Sequence, residues 1–218
     1  MRNHLFFVPL AALLVAALAC GGGSSTPTPS GPKVLLKDDF SDSSSGWGTG
    51  TDSESSLEYQ DGKYIVKIEE TDLLVWGTQE ADDISNVHIT VEAQNVGGAV
   101  DPTFGIICNY QDDQNFYYMG IGVDGYYAIA KYESDELTIM TGEDNQWVQS
   151  ERIELDADSY SVEADCGNGR LSLYVDGVRI DSVEDQAFSQ GQIGLFARSF
   201  ESTGVEVHFD DLVVTELE

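Results

Sequence analysis

Positive charge is what this chain has least of. Its 218 residues hold 10 Lys plus Arg against 39 Asp plus Glu, with only three His. A field of that sign repels nucleic acid and anionic membrane surfaces, favours cations and keeps a solvated acidic surface soluble in salt. Cysteine is scarce, at three residues. An apolar run long enough to span a bilayer, about 20 residues, is absent: Leu5 to Ala19 supplies fifteen. Gly-x-Ser-x-Gly, zinc-ligand spacing, a phosphate loop and a Cys/His nucleophile arrangement are all missing, which removes several enzyme classes. No helical period runs through residues 34–218.

What is present starts with a leader. Arg2 precedes the apolar run, which ends in "AALAC" followed by "GGGSS". Small residues before a cysteine and a flexible tail after it resemble a bacterial lipoprotein signal. Removal of residues 1–19 would leave Cys20 as a lipidated N-terminus on the extracytoplasmic face of a bacterial envelope, with membrane contact through the lipid only. Ordinary secretion with cleavage near Ala19 is the alternative. Residues 20–33 are rich in Gly, Ser, Thr and Pro and read as a tether. Residues 34–218 suit one domain with a substantial core. Without the leader the chain has nine Lys and Arg against 39 Asp and Glu, a net charge of −30. The two remaining cysteines, Cys108 and Cys166, read as a disulfide pair in an exported protein or as two small buried thiols.

The domain reads as strands. "KYIVKIE", "NVHITVEAQ" and "SYSVEADC" alternate apolar and polar residues. "RLSLYVDGVRIDSV" is a hairpin turning on Asp176-Gly177, and Asp-Gly favours a type I′ two-residue turn. About a dozen such segments predict an all-β antiparallel two-sheet sandwich.

"DDFSD…GW", "YQDGKYIV", "GIICNYQDDQNFYYMGIGVDGYYAIAK", "LSLYVDGVRI", "FSQGQIGLFA" and "VHFDDLVV" follow in order. Together they resemble the concanavalin A-like lectin/glucanase jelly roll, in its laminin G-like and 3-keto-disaccharide hydrolase-like branch. The resemblance implies a jelly roll over 34–218. It also implies a role among lectins, carbohydrate-binding modules, glycosidases or adhesion domains. A structural Ca²⁺ where first and last strands meet is a further implication, which points to Asp39, Asp210 and Asp211, with Asp38 beside them.

Retaining glucanases of this fold carry E-x-D-x-E on one strand, and "ELDAD" (Glu154, Asp156, Asp158) has the spacing. Its context predicts a loop, so no residue is assigned a catalytic role. His88 and His208 sit on strand faces opposite the apolar residues.

Asp124-Gly125, taken as a type I′ turn, pairs Ile121 with Ala128, Met119 with Ala130 and Tyr117 with Tyr132. That arrangement sends Tyr117, Met119, Ile121, Val123, Tyr126 and Tyr132 to the core. The opposite face then carries Phe116, Tyr118, Tyr127 and Lys131 over Gly120 and Gly122. "GQIGLFAR" adds Phe196 and Arg198 outward. Rings, bare glycines and a cation are what a sugar-binding surface uses. These six residues are the candidate ligand set. Loop 111–115 has two readings, of five or four residues, which put Tyr110 and Cys108 together on one face or together on the other. The expected function is a lipid-anchored glycan-binding module. A glycosidase-type enzyme and an adhesion domain with protein partners are the alternatives.

Overall fold

A computed structural model describes residues 31–80 and 82–217. The leader and tether residues 20–30, Cys20 among them, lie outside them. Among the described residues every regular element is a strand. The first eight are β1 (Val34–Asp38), β2 (Gly50–Thr51), β3 (Ser55–Gln60), β4 (Lys63–Ile68), β5 (Leu74–Thr78), β6 (Val87–Asn95), β7 (Thr103–Asp112) and β8 (Asn115–Gly122). The rest are β9 (Tyr126–Glu133), β10 (Glu136–Ile139), β11 (Val148–Gln149), β12 (Tyr160–Gly167), β13 (Arg170–Val175), β14 (Val178–Glu184), β15 (Gln192–Arg198) and β16 (Val205–Glu216). Sixteen strands exceed the expected dozen because pieces as short as β2 and β11 pair at the sheet margins.

The strands form two antiparallel sheets. One has nine, in the order β14-β13-β12-β6-β16-β4-β3-β2, with β1 beside the end of β16. The other has seven, in the order β10-β9-β8-β7-β15-β5, with β11 beside β9. Chain neighbours are often not sheet neighbours, as expected of a jelly roll. Between the sheets lie Tyr64, Val66, Ile89, Val91, Val162, Leu173, Val207 and Phe209, facing Phe104, Ile106, Met119, Ile121, Ile129 and Leu195, all shielded from solvent. Cys108 of β7 and Cys166 of β12 are joined by a disulfide that ties the two sheets together. In the chain-entropy account, closing a span of 58 positions is worth about 4 kcal/mol.

The two Asp-Gly hairpins differ. At Asp176-Gly177 both residues have positive φ (51° and 75°), and Val175 faces Val178, so the turn is type I′. At the other hairpin only Gly125 has positive φ, 85°, and its N–H donates to Gly122 O at 3.0 Å. Three residues, 123–125, make that connection: a type I turn closed by a glycine bulge. The extra residue shifts the register by one. Ile121 faces Tyr127, Met119 faces Ile129 and Tyr117 faces Lys131. The expected sorting of β9 is therefore reversed. Tyr127 and Lys131 point between the sheets, whereas Tyr132 lies on the outer face and Tyr126 is exposed at the strand's start.

At the β7–β8 hairpin Cys108 faces Tyr117 and Asp112 faces Asn115, with a register shift between them where Asn109 has φ of 51°. This bulge separates what both loop readings kept together: Cys108 joins the main core, and Tyr110 joins the outer face.

Candidate functional site

β6 and β12 alternate buried and half-exposed residues, as strands with one wet face do. β7, β8 and β15 do not: almost every residue is buried. The outer face of the seven-stranded sheet is therefore covered, and aromatic side chains do the covering. Ile107, Phe116, Tyr118, Ala130 and Phe196 form a second apolar cluster at zero exposure. Packed on it and partly open to solvent are Leu74, Trp76, Tyr110, Tyr132, Leu137, Ile139 and Trp147.

The layer is built ring on ring. Phe116 is central, 5.4 Å from Trp76, 5.4 Å from Tyr132 in a stacked pose, and 5.7 Å from Tyr110. Tyr118 meets Phe196 edge-on at 5.1 Å. Phe196 rests on bare backbone, since a Cβ on Gly120 would lie 2.4 Å from its ring tip. Trp147, from the 140–147 connection, meets Phe200 edge-on at 5.9 Å.

A groove of about 290 Å³ crosses this face, lined by Leu74, Trp76, Phe116, Tyr132 and Leu137, with Asp72, Arg198 and Asp113 as its charged members. The Arg198 guanidinium carbon lies over the Phe200 ring, 4.6 Å from its centroid, and the guanidinium donates to Asp72 at 3.1 Å. Tyr110 donates to Asp113, and burial with that partner pushes its phenol up to about 12. Among the described residues the Tyr118 hydroxyl has no hydrogen-bond partner. Burial raises its pKa, with the charge of Arg198 opposing.

Of the six residues expected to meet a ligand, Phe116, Tyr118, Phe196 and Arg198 share this face. The three rings are its buried floor, and Arg198 lines the groove. Tyr127 and Lys131 are elsewhere. Tyr127 donates to Asp181 at 3.0 Å, and burial with that bond pushes its phenol up to about 12. Lys131 pairs with Asp185 and Glu133, each at 3.2 Å. Both residues seal the flank between β9 and β14. Trp76, Trp147 and Phe200 were not singled out from the sequence, and Tyr132 was read as core but packs on the outer face. The alternation Leu74, Trp76, Thr78 in "LLVWGTQ" was the available signal.

The other candidate clusters do not assemble. Glu154, Asp156 and Asp158 stand exposed on the loop between β11 and β12, and Tyr160 pins that loop by donating to Glu154 O at 2.8 Å. They do not share a strand face, so the glucanase acid geometry is not formed. Asp38 accepts from Trp47 Nε1 and Phe40 N, Asp39 accepts from Ser41, and Asp210 pairs with Lys63 at 2.6 Å. Among the described residues no three Asp, Glu, His or Cys gather into a metal site. A larger hollow, about 470 Å³, is lined mostly by polar residues, Asn86, Asn109, Asn168 and Arg170 among them, with Phe188 as its one ring among the described residues.

No family model matches the chain, and a search of curated proteins finds no match. Solved structures do match. The carbohydrate binding module CBM66 from Bacillus subtilis superimposes with a TM-score of 0.60 at 15% identity, covering 78% of this chain and 96% of that one. A protein of unknown function with a galectin-like fold, also from Bacillus subtilis, gives 0.59 at 10%, covering 84% and 96%. A Bacillus licheniformis beta-glucanase gives 0.57 at 11%, covering 87% and 100%. At such identities the likeness is one of fold. The fold is the concanavalin A-like jelly roll, an architecture that a carbohydrate-binding module and glycoside hydrolases share.

Proposed function

We propose that this protein is a glycan-binding module, non-catalytic, tethered to the extracytoplasmic face of a bacterial envelope through lipid on Cys20. The observation that carries the reading is the groove: half-exposed Trp76 and Tyr132 flanking buried Phe116, with Arg198, Asp72 and Asp113 within reach. Sugar rings present C–H faces that stack on aromatic rings, and their hydroxyls bond to charged side chains at the margin. The leader, the tether and an intersheet disulfide all suit an exported protein.

The test is affinity electrophoresis of residues 34–218 through gels containing soluble polysaccharides. At least one glycan should retard the domain, and Trp76→Ala should abolish the retardation while leaving the unfolding midpoint within the range of a surface change. Free migration in every gel refutes the reading. Lipidation is checked separately: labelled palmitate should enter the expressed full chain, and Cys20→Ser should block it.

A further inference from the structure

The charges in the groove say what kind of glycan it takes. Among the described residues Arg198 is the one cation lining it, against two carboxylates, Asp72 and Asp113. Asp72 already holds the guanidinium at 3.1 Å, and the Phe200 ring lies against it with its centroid 4.6 Å from the guanidinium carbon. An arginine fixed on both sides is a poor receptor for an incoming carboxylate, which would have to displace Asp72 and approach Asp113. The surrounding chain, with 39 acidic residues, adds long-range repulsion. A sugar hydroxyl faces no such barrier, because it both donates and accepts. The Asp72 side chain is 81% exposed, so it has acceptor positions left beyond Arg198, and Asp113 is exposed at the groove's margin.

We propose that the Asp72–Arg198 pair is a two-point clamp for neighbouring hydroxyls, and that the groove therefore selects uncharged glycans over uronic-acid or sulfated ones. This rests on the glycan-binding reading. Trp76 and Tyr132 supply the stacking surface, Arg198 donates to one hydroxyl, and Asp72 accepts from the next. Asp72→Asn removes the clamp's charge, leaving only a weaker amide-oxygen acceptor, and loosens the hold on the guanidinium. The same change should therefore weaken neutral binding and admit anionic chains.

The experiment compares the domain and its D72N variant against pullulan, laminarin, xyloglucan and galactomannan, against alginate and polygalacturonate, and against the best neutral binder after oxidation of its primary hydroxyls to carboxylates. The wild type should bind a neutral chain and lose roughly tenfold or more on the oxidised one. D72N should lose roughly tenfold on the neutral chain and bind the oxidised chain better than the wild type does. Asp113→Asn should ease binding of the oxidised chain as well. Asp72 is exposed, so loss of fold does not confuse the result, and the circular-dichroism melt of D72N checks this. Preference of the wild type for alginate, polygalacturonate or the oxidised chain overturns the inference and leaves glycan binding standing. So does a D72N variant that behaves as the wild type. Absence of binding to every chain overturns both.

Discussion

The two sheets turn very different faces to the outside. The nine-stranded sheet shows charge: Lys63 pairs with Asp210, Lys67 with Glu58, His88 with Asp165, and His208 with Glu206. Its strands alternate, and its outer residues are half exposed. The seven-stranded sheet shows rings over a layer of rings, with Phe116, Tyr118 and Phe196 sealed completely. Both faces are built the same way, from cross-strand pairs on a pleated surface. The difference is what each face can do. Ion pairs in water are weak and keep the first face soluble. Rings packed beneath a groove make the second a rigid apolar platform on which a few half-exposed aromatics are held in position.

The sharpest way to break this comparison is to show that the ring layer is not a core. Phe196→Ala should cost about 3–5 kcal/mol, the scale of a buried aromatic truncation, because the ring is fully enclosed and seated on Gly120. Denaturant unfolding measures it. A cost no larger than that of a surface substitution would place the outer layer in solvent and dissolve the distinction.

Next in size is function. Tyr132 and Tyr174 are both tyrosines with partly exposed rings, one on each outer face. Tyr132→Ala should weaken polysaccharide binding roughly tenfold or more, on the scale of one ring contact in a desolvated groove. Tyr174→Ala should leave it unchanged. Isothermal titration against the polysaccharide that retards the domain separates the two, and equal losses would deny the groove its special place.

How much of this was legible shows in three places. The fold was readable because alternation, Asp-Gly turns and the order of segments all agreed. The face of Phe116, Tyr118, Phe196 and Arg198 was readable because β8 and β15 contain no bulge between those positions and the core residues beside them. β9 was misread, since Asp-Gly serves both a two-residue type I′ turn and a three-residue turn with a glycine bulge. Tyr127 and Lys131 were exchanged for Tyr126 and Tyr132 by that single residue. Trp147 and Phe200 arrive on irregular connections, where no period tells a side chain's direction. The same holds for Asn109, whose positive φ is a backbone choice that asparagine permits without announcing it.

A third prediction sharpens the charged face. His88 Nδ1 lies 2.8 Å from Asp165 and its Nε2 3.4 Å from Glu163, and the hydrogen bond to Asp165 lifts its pKa against the pull of burial. Burial also opposes ionisation of Asp165, but the bonds from His88 and Tyr174 outweigh it and lower its pKa. The raised histidine contributes stability that is fully present below about pH 6.5, its unfolded value, and is lost as pH rises through the higher folded value. The lowered aspartate contributes above about pH 3.9, and its share is lost as pH falls through its folded value. The stability gap between wild type and His88→Gln should therefore be wider at pH 5.5 than at pH 8. A gap independent of pH would mean the pair contributes no charge-dependent stability.

The smallest effect belongs to Lys67. It sits 2.9 Å from Glu58 and 4.0 Å from Glu206, and its hydrogen bond to Glu58 leads the causes that raise its pKa. In a chain this acidic its removal leaves like charges facing one another across β3, β4 and β16. Such half-exposed pairs are worth about 0.2–1 kcal/mol, and salt screens them, with a Debye length of about 3 Å at 1 M. Lys67→Gln should therefore cost about 0.5 kcal/mol in dilute buffer and almost nothing in 1 M NaCl. The cost of Phe196→Ala should survive the same salt, because apolar burial and cavity formation carry no charge to screen. Urea unfolding of both variants at two salt concentrations sets the faces side by side. A Lys67→Gln cost that persists in salt would mean that packing of its aliphatic stem, rather than charge, holds that side of the molecule.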